Sequence, residues 1–284
     1  LDQVLLSGLA LGSIYGLIAM GFVVVFKATK VFNFAQGMLV VCGAYLALVA
    51  FTRLDLWLPF AILAIVVGSA LMGVCIYAFL IKPLAGRPLL PVIMVTIALS
   101  LVIRALIELV FGSLPLTVRT PLPSGTFRIG DTIVSQLHAI AAVVSWVCMA
   151  GFALLFKFSR VGLAMRAVAS SHEAALVSGI NVGNASALAW VVGSILAGLG
   201  GLFLGQLQLA SVELEHIALL ALPAVVIGGL QSIGGAIVGG LLVGLIEQLG
   251  SSYISPAARD VLIYVPLLLI LLWRPWGLFG EREL

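Results

Sequence analysis

Long stretches of the chain carry no Asp, Glu, Lys or Arg: 3–26, 31–52, 56–81, 132–156, 174–212 and 216–246. A helix needs ~20 apolar residues to cross a hydrocarbon core of ~30 Å. Nearly every run is therefore long enough to span, and 174–212 has room for a loop as well. The runs are uniformly apolar, without the in–out alternation of membrane-barrel strands. They predict spans near 4–26, 33–52, 57–81, 90–111, 135–157, 185–207, 217–230, 236–252 and 259–274. The seventh and eighth are short and meet at a glycine-rich junction, Gly228-Gly229-Leu230-Gln231-Ser232-Ile233-Gly234-Gly235. They read as two tilted crossings or as one broken, partly re-entrant element, giving eight or nine segments. The first run lacks a basic leader and a small-residue cleavage site, so it is expected to be a retained span. No polar stretch has the length of a soluble domain, and 1–284 reads as one all-α polytopic membrane domain.

Composition sharpens this reading. Of 284 residues, 63% are hydrophobic and 9% charged, against about 25% charged in soluble domains. That excludes a soluble enzyme or a nucleic-acid binder. Orientation follows from the excess of Lys and Arg on the cytoplasmic side. With the N-terminus outside, the inner loops receive Lys27, Lys30, Lys82, Arg87, Lys157, Arg160, Arg166, Arg274 and Arg282. The outer side receives Arg53, Arg119, Arg128 and Arg259, while Arg104 lies within a span. The acids Asp2, Asp55, Asp131, Glu213, Glu215 and Asp260 fall outside, and Glu173, Glu281 and Glu283 inside. The cysteines Cys42, Cys75 and Cys148 all sit in apolar runs and read as small buried hydrophobes. In the outer loop 112–134, Thr126-Phe127-Arg128-Ile129 alternates as a small hairpin would.

The largest inner loop, 158–184, reads FSRVGLAMRAVASSHEAALVSGINVGN. Ser170 and Glu173 have capping-box spacing, Ala174, Ala175 and Leu176 favour helix, and Gly179 suits a left-handed helix stop. A short helix over 171–178 is predicted, with Arg166, Ser171 and Glu173 exposed. So short a helix is marginal in water and must pack on something. It is either a plain connector or a docking element. Glu173-Ala174-Ala175 followed by Gly179 resembles the EAA-x-x-x-G signature of ABC importer permeases, although Ala189-Trp190-Val191-Val192 stands where that signature continues. Over nearly its full length the chain resembles LivH-type permeases of branched-chain amino acid ABC importers. The resemblance is carried by Gly12-Ser13-Ile14-Tyr15-Gly16-Leu17-Ile18-Ala19, Asn33-Phe34-Ala35-Gln36-Gly37, Ser159-Arg160-Val161-Gly162, Gly179-Ile180-Asn181, Gly228-Gly229, Gly239-Gly240 and Arg274-Pro275-Trp276-Gly277-Leu278-Phe279-Gly280. It implies a bacterial inner-membrane permease working beside a LivM-like permease, two ABC ATPase subunits and an external solute-binding protein. It also implies ATPase coupling through Arg166, Ser171, Glu173, Ala174, Ala175 and Gly179. No G-x-x-x-x-G-K-[ST] motif occurs in the chain, so ATP and Mg would be bound by the partner subunits, with no cofactor or metal here.

Polar groups inside spans are functional candidates because hydrocarbon penalises them. Arg104 and Glu108, four apart, are expected to form a structural ion pair. Asn33 and Gln36, just after Lys27 and Lys30, are expected near the inner boundary, either capping a helix or lining the pathway. Gln231 and Ser232 are candidates because broken helices expose backbone that can hold a zwitterion. Glu247 is a further candidate for the route. Gly193-Ser194, Ala197-Gly198, Gly200-Gly201 and Gly205, with Gly235, Gly239-Gly240 and Gly244, form small-residue rows suited to close helix packing, within the chain or against a partner permease. The stretch Asn33…Gly37 also echoes Gln231…Gly235. Urea or a small aromatic or carboxylic acid is an alternative cargo. An ion-coupled transporter would need buried carboxylates, for which only Glu108 and Glu247 qualify. An intramembrane enzyme would need a clustered dyad or metal site, which His138, His172 and His216, in three separate segments, do not make.

Overall fold

The computed structural model describes residues 2–123, 125–129, 132–255 and 259–280. Asp131, Glu281, Arg282 and Glu283, counted in the charge argument, lie outside the described residues, as do the side chains of His172, Arg259 and Asp260. The order is α1 (Asp2–Thr29), α2 (Gln36–Ala47, continued by a π-helical turn Leu48–Arg53) and α3 (Leu58–Ile76, continued through Leu84). Next come α4 (Leu89–Phe111), the strands β1 (Thr126–Ile129) and β2 (Thr132–Ser135), and α5 (Gln136–Phe158). The inner loop holds α6 (Arg160–Ser170) and α7 (His172–Val177), followed by α8 (Val182–Gln208). The chain closes with α9 (Leu214–Leu219), α10 (Ala221–Gly228), α11 (Ile233–Tyr253) and α12 (Arg259–Trp273). Seven helical stretches among the described residues are long and apolar enough to cross a membrane. The chain is thus an all-α polytopic membrane protein with one small antiparallel hairpin, in the register Thr126–Ser135 to Ile129–Thr132.

Two of the predicted segments change shape. The seventh is two short helices, α9 and α10, separated at Leu220. The eighth, expected to be short, is a full 21 residues, because Ser232 rather than a later residue starts it: its Oγ accepts from Gly235 N at 3.0 Å. The glycines after it therefore belong to the helix and not to the junction. Cys75, expected to be buried, is exposed on α3, while Cys42 and Cys148 are half-buried.

The centre of the bundle is α1. It is apolar on every side, as a helix surrounded by others must be, and 89% of its 18-residue apolar stretch is buried, against 22% for the corresponding stretch of α4. Lipid tails are as apolar as the side chains, so close van der Waals contact rather than water exclusion must hold such helices together. Small residues supply that contact. A side chain on Gly240 or Gly244 of α11 would run into the backbone of Gly16 or Gly12 on α1. One on Gly201 of α8 would run into Val40 on α2, and one on Gly239 into Ala224 on α10. A methyl on Gly193 would come within 2.6 Å of a Val25 methyl carbon. Both small-residue rows are used up inside this chain, so they do not form a face for a second permease.

At one end of the bundle the cations gather. One cavity there is lined by Lys27, Lys30 and Arg166 and a second by Lys30, Lys82 and Arg87. At the opposite end, the 112–123 loop is fastened down. Leu116 and Ala210 exchange backbone hydrogen bonds of 2.9 and 2.8 Å, and Arg119 N donates to Thr52 Oγ1 at 3.0 Å.

Gly244→Val should push α11 off α1 and cost about 1–3 kcal/mol, the usual cost of overpacking. Gly151→Ala, where an added methyl meets nothing within 4 Å, should leave stability equal or slightly raised. Thermal melting of the detergent-purified chain checks both.

Candidate functional site

The feature that departs most from a plain helix bundle is the stretch from Lys30 to Gln36. Lys30 takes a left-handed conformation, with φ 55°, which ends α1 and turns the chain back into the bundle. Gln36 then lies between Gly21 of α1 and Gly193 of α8. A methyl on Gly21 would come within 2.6 Å of Gln36 Nε2. Gly21 is eight residues from the end of α1 and Gly193 eleven from the start of α8. At 1.5 Å per residue, Gln36 therefore sits roughly 12–16 Å in from the basic end, close to mid-membrane. This corrects the boundary position expected from Lys27 and Lys30: the chain re-enters before α2 begins, so the first part of this crossing is not helical.

The side-chain amides at this break are paired. Asn33 Oδ1 accepts from Ala35 N at 3.1 Å, and Asn33 Nδ2 donates to Gln36 Oε1 at 2.9 Å. Gln36 Nε2 donates to Gly193 O at 3.1 Å, and Phe34 N donates to Thr96 Oγ1 on α4 at 3.3 Å. Asn33 and Gln36 are 2% and 0% exposed, whereas Phe34 is half-buried. The break thus links α1, α2, α4 and α8 through side chains.

Gln231 and Ser232 are not part of this cluster. They lie at the basic end, where Lys27 Nζ donates to Gln231 O at 3.1 Å. Together with Lys27, Lys30 and Arg166 they line a cavity of about 540 Å³. The glycine-rich junction beside them is covered by the Arg274–Gly280 segment. Leu278 N donates to Ile227 O at 2.8 Å and Phe279 N to Gly228 O at 3.1 Å, closing the carbonyl end of α10. The packing of this segment on the junction was not foreseen from the sequence; the shared glycines Gly229 and Gly277, both at positive φ, are its signal.

Glu247 is buried on α11, six residues from the helix end at Tyr253 and remote from both groups. Arg104 on α4 bonds Glu108 at 3.2 Å and also reaches Glu213 at 3.3 Å and Glu215 at 3.8 Å. The pair expected from the sequence is therefore a four-residue network that ties α4 to the start of α9. Glu213 and Glu215 were missed because they are over a hundred residues away.

The inner loop is more structured than expected. It holds two helices, and α6 is the one sequence reasoning missed. Arg166 is not an exposed docking residue: its Nη1 donates to Phe156 O at 2.9 Å and Lys157 O at 2.6 Å, capping α5. Ser170 ends α6, and the cap of α7 is Ser171 instead, whose Oγ accepts from Ala174 N at 3.2 Å. Gly179, at φ 77°, closes α7, with Gly179 N donating to Leu176 O and Ile180 N to Ala175 O, both at 3.0 Å. This paired stop is the Schellman arrangement. Ala175 is buried against Val168 and Ala185, while Glu173, Ala174, Leu176 and Val177 are exposed. The loop therefore presents one face of α7 outward and rests the other on α6 and α8. Among the described residues, no three His, Cys, Asp or Glu side chains are grouped to hold a metal ion.

Residues 4–271 match the family described as branched-chain amino acid transport system / permease component. The chain is 33% identical to the high-affinity branched-chain amino acid transport system permease protein BraD of Pseudomonas aeruginosa, covering 99% of this chain and 96% of that one. It is 31% identical to LivH of Escherichia coli strain K12, with the same coverage. It is 28% identical to the probable branched-chain amino acid transport permease LivH of Methanocaldococcus jannaschii, over 93% of this chain and 88% of that one. Among solved structures, PsaBC from Streptococcus pneumoniae in complex with Fab shares the fold, with a TM-score of 0.51 at 12% identity, over 95% of this chain and 90% of that one.

Gln36→Leu strands Asn33 Nδ2 in a buried site and should destabilise the chain by about 1–3 kcal/mol. A lower melting temperature in detergent, absent for a substitution at exposed Leu109, checks this.

Proposed function

The chain belongs to the permease family of branched-chain amino acid transport systems, and on that premise we propose that it is the membrane-spanning subunit of an ABC importer for branched-chain or related neutral amino acids. Its N-terminus is outside and its C-terminus inside the bacterial inner membrane. The clustering of Lys27, Lys30, Lys82, Arg87 and Arg166 at one end supports this orientation. A LivM-like permease completes the pathway, an external binding protein delivers the cargo, and two separate ATPase subunits supply the energy.

The observation that carries this reading is α7. A six-residue helix capped at both ends, with Glu173, Ala174, Leu176 and Val177 outward at the basic end of the bundle, is built to be held by another protein. Val177 is 91% exposed, which an apolar side chain outside the lipid tolerates best under a partner. Glu173 and Ala174 touch the ATPase, Ser171 and Gly179 fix the helix ends, and Ala175 passes the movement to α8. Arg166 acts one step back, by locking α6 to α5. On the transport side, α4 is the least enclosed span. It is joined to the break by the Phe34–Thr96 hydrogen bond and to α9 by the Arg104 network. Displacement of α4 against the α1–α8 core, with Asn33 and Gln36 bracing the core side, opens the route alternately to each face.

Glu173→Lys should leave the permease assembled but weaken ATPase docking by roughly tenfold or more, as charge reversal at a docking surface does, and uptake should fall with it. Normal uptake by an assembled variant would remove α7 from the coupling role. In a chain freed of Cys42, Cys75 and Cys148, Val177→Cys should react with an impermeant maleimide only after the cytoplasmic face is opened. Labelling of intact cells would reverse the orientation.

A further inference from the structure

A second cavity at the basic end, about 360 Å³, lies between the ends of α1 and α3 and the starts of α4 and α8. The sequence does not single it out and the coupling loop does not use it; Lys30 and Val31, at the start of the break, belong to its wall. Its composition is divided. Its apolar wall is buried at Ile81 and Val92 and continues through half-buried Leu84 and exposed Leu89. The rim carries Lys30, Lys82 and Arg87, and no carboxylate lines the cavity. Lys82 and Arg87 are held there by the α3–α4 turn, in which Ala85 N donates to Lys82 O at 3.2 Å and Arg87 N to Leu84 O at 3.0 Å. Gly86, at φ 81°, allows that turn. Ser186 of α8 also lines the cavity and is 6% exposed. The first turn of the 27-residue α8, Val182 and Gly183, completes the wall.

A soluble anion would use the cations and leave the apolar depth unfilled. A neutral lipid would fill the depth and leave Lys82 and Arg87 unanswered. An amphiphile with a phosphate head and an acyl chain uses both, and such basic pockets between spans suit anionic headgroups. We propose that this cavity is a binding site for an anionic phospholipid. Its phosphate lies among Lys30, Lys82 and Arg87 within reach of the Ser186 hydroxyl, and its chain runs along Leu89 and Val92 of α4. The lipid would then bridge α4 to the start of α8. Which leaflet supplies it rests on the orientation proposed above; the binding does not.

The test is native mass spectrometry of the full chain in detergent, titrated with phosphatidylglycerol or phosphatidylcholine, so that a reversed orientation would leave the result unchanged. Phosphatidylglycerol should bind the wild type in preference to phosphatidylcholine. The Lys82→Gln/Arg87→Gln variant should lose affinity by about thirtyfold, the factor corresponding to two basic residues near a lipid surface. Lys157→Gln/Arg274→Gln removes the same charge from the same end but outside the cavity, and should bind as the wild type does. Melting in phosphatidylcholine should be equal for all three, with the phosphatidylglycerol-dependent rise missing only from the cavity variant. Equal binding of the two lipids, equal loss in both variants, or displacement of phosphatidylglycerol by inorganic phosphate alone would each overturn the proposal.

Discussion

Inside a lipid bilayer no water is available to complete a backbone hydrogen bond, so any interruption of a helix must be satisfied by the protein itself. The break before α2 depends on this constraint. Lys30 to Gln36 passes through the membrane interior without helical bonding, and it persists because the side chains of Asn33 and Thr96 accept the N–H groups of Ala35 and Phe34. Gln36 then fastens the new helix to α8 through Gly193 O. Without these amide and hydroxyl groups the segment would leave the membrane or become helix. The polar residues of the break thus permit a crossing that starts without helix where the apolar pattern alone calls for an unbroken one.

The same scarcity of driving force explains the glycines. Hydrophobic burial contributes little between two helices that already share an apolar solvent, so α1 is held by proximity. Gly240 and Gly244 have no room for a side chain against Gly16 and Gly12, nor has Gly12 against Leu241, and α8 meets α2 in the same way at Gly201 and Val40. A core so tightly joined is a poor place for large motions. The loosely enclosed α4, joined to it by a hydrogen bond at Thr96 and the ion pairs of Arg104, is the better moving part.

The features legible from sequence were those that rest on local chemistry. Uninterrupted apolar runs marked the long spans, alternation at Thr126–Ile129 marked the hairpin, and Gly179 marked the end of α7. The illegible features rest on distant contacts. The depth of Asn33 was misjudged because Lys27 and Lys30 argue for a boundary, and only Gly21 and Gly193 on other helices reveal the re-entry. Ser170 and Ser171 are adjacent, and the choice between them depended on where α6, itself unforeseen, ends. Arg166 looks like any solvated basic residue until the carbonyls at the end of α5 are brought beside it. The candidate residues were therefore named one by one, but sorted into groups that the fold does not keep.

The inner loop shows how a small element can transmit a load. Six residues of helix are unstable by themselves, yet α7 is fixed at its start by Ser171, at its end by Gly179 and along its inner face by Ala175 against Val168 and Ala185. Ala185 belongs to the first turn of α8, and Val168 to α6, which Arg166 locks to α5. A push on α7 therefore meets no flexible joint before it reaches two long helices, one of which carries Gly193 and so the break at Gln36. The path consists of packed and hydrogen-bonded contacts, and it ends at the non-helical stretch before α2. Force applied at the surface would arrive at the braced side of the break, across the Phe34–Thr96 hydrogen bond from α4.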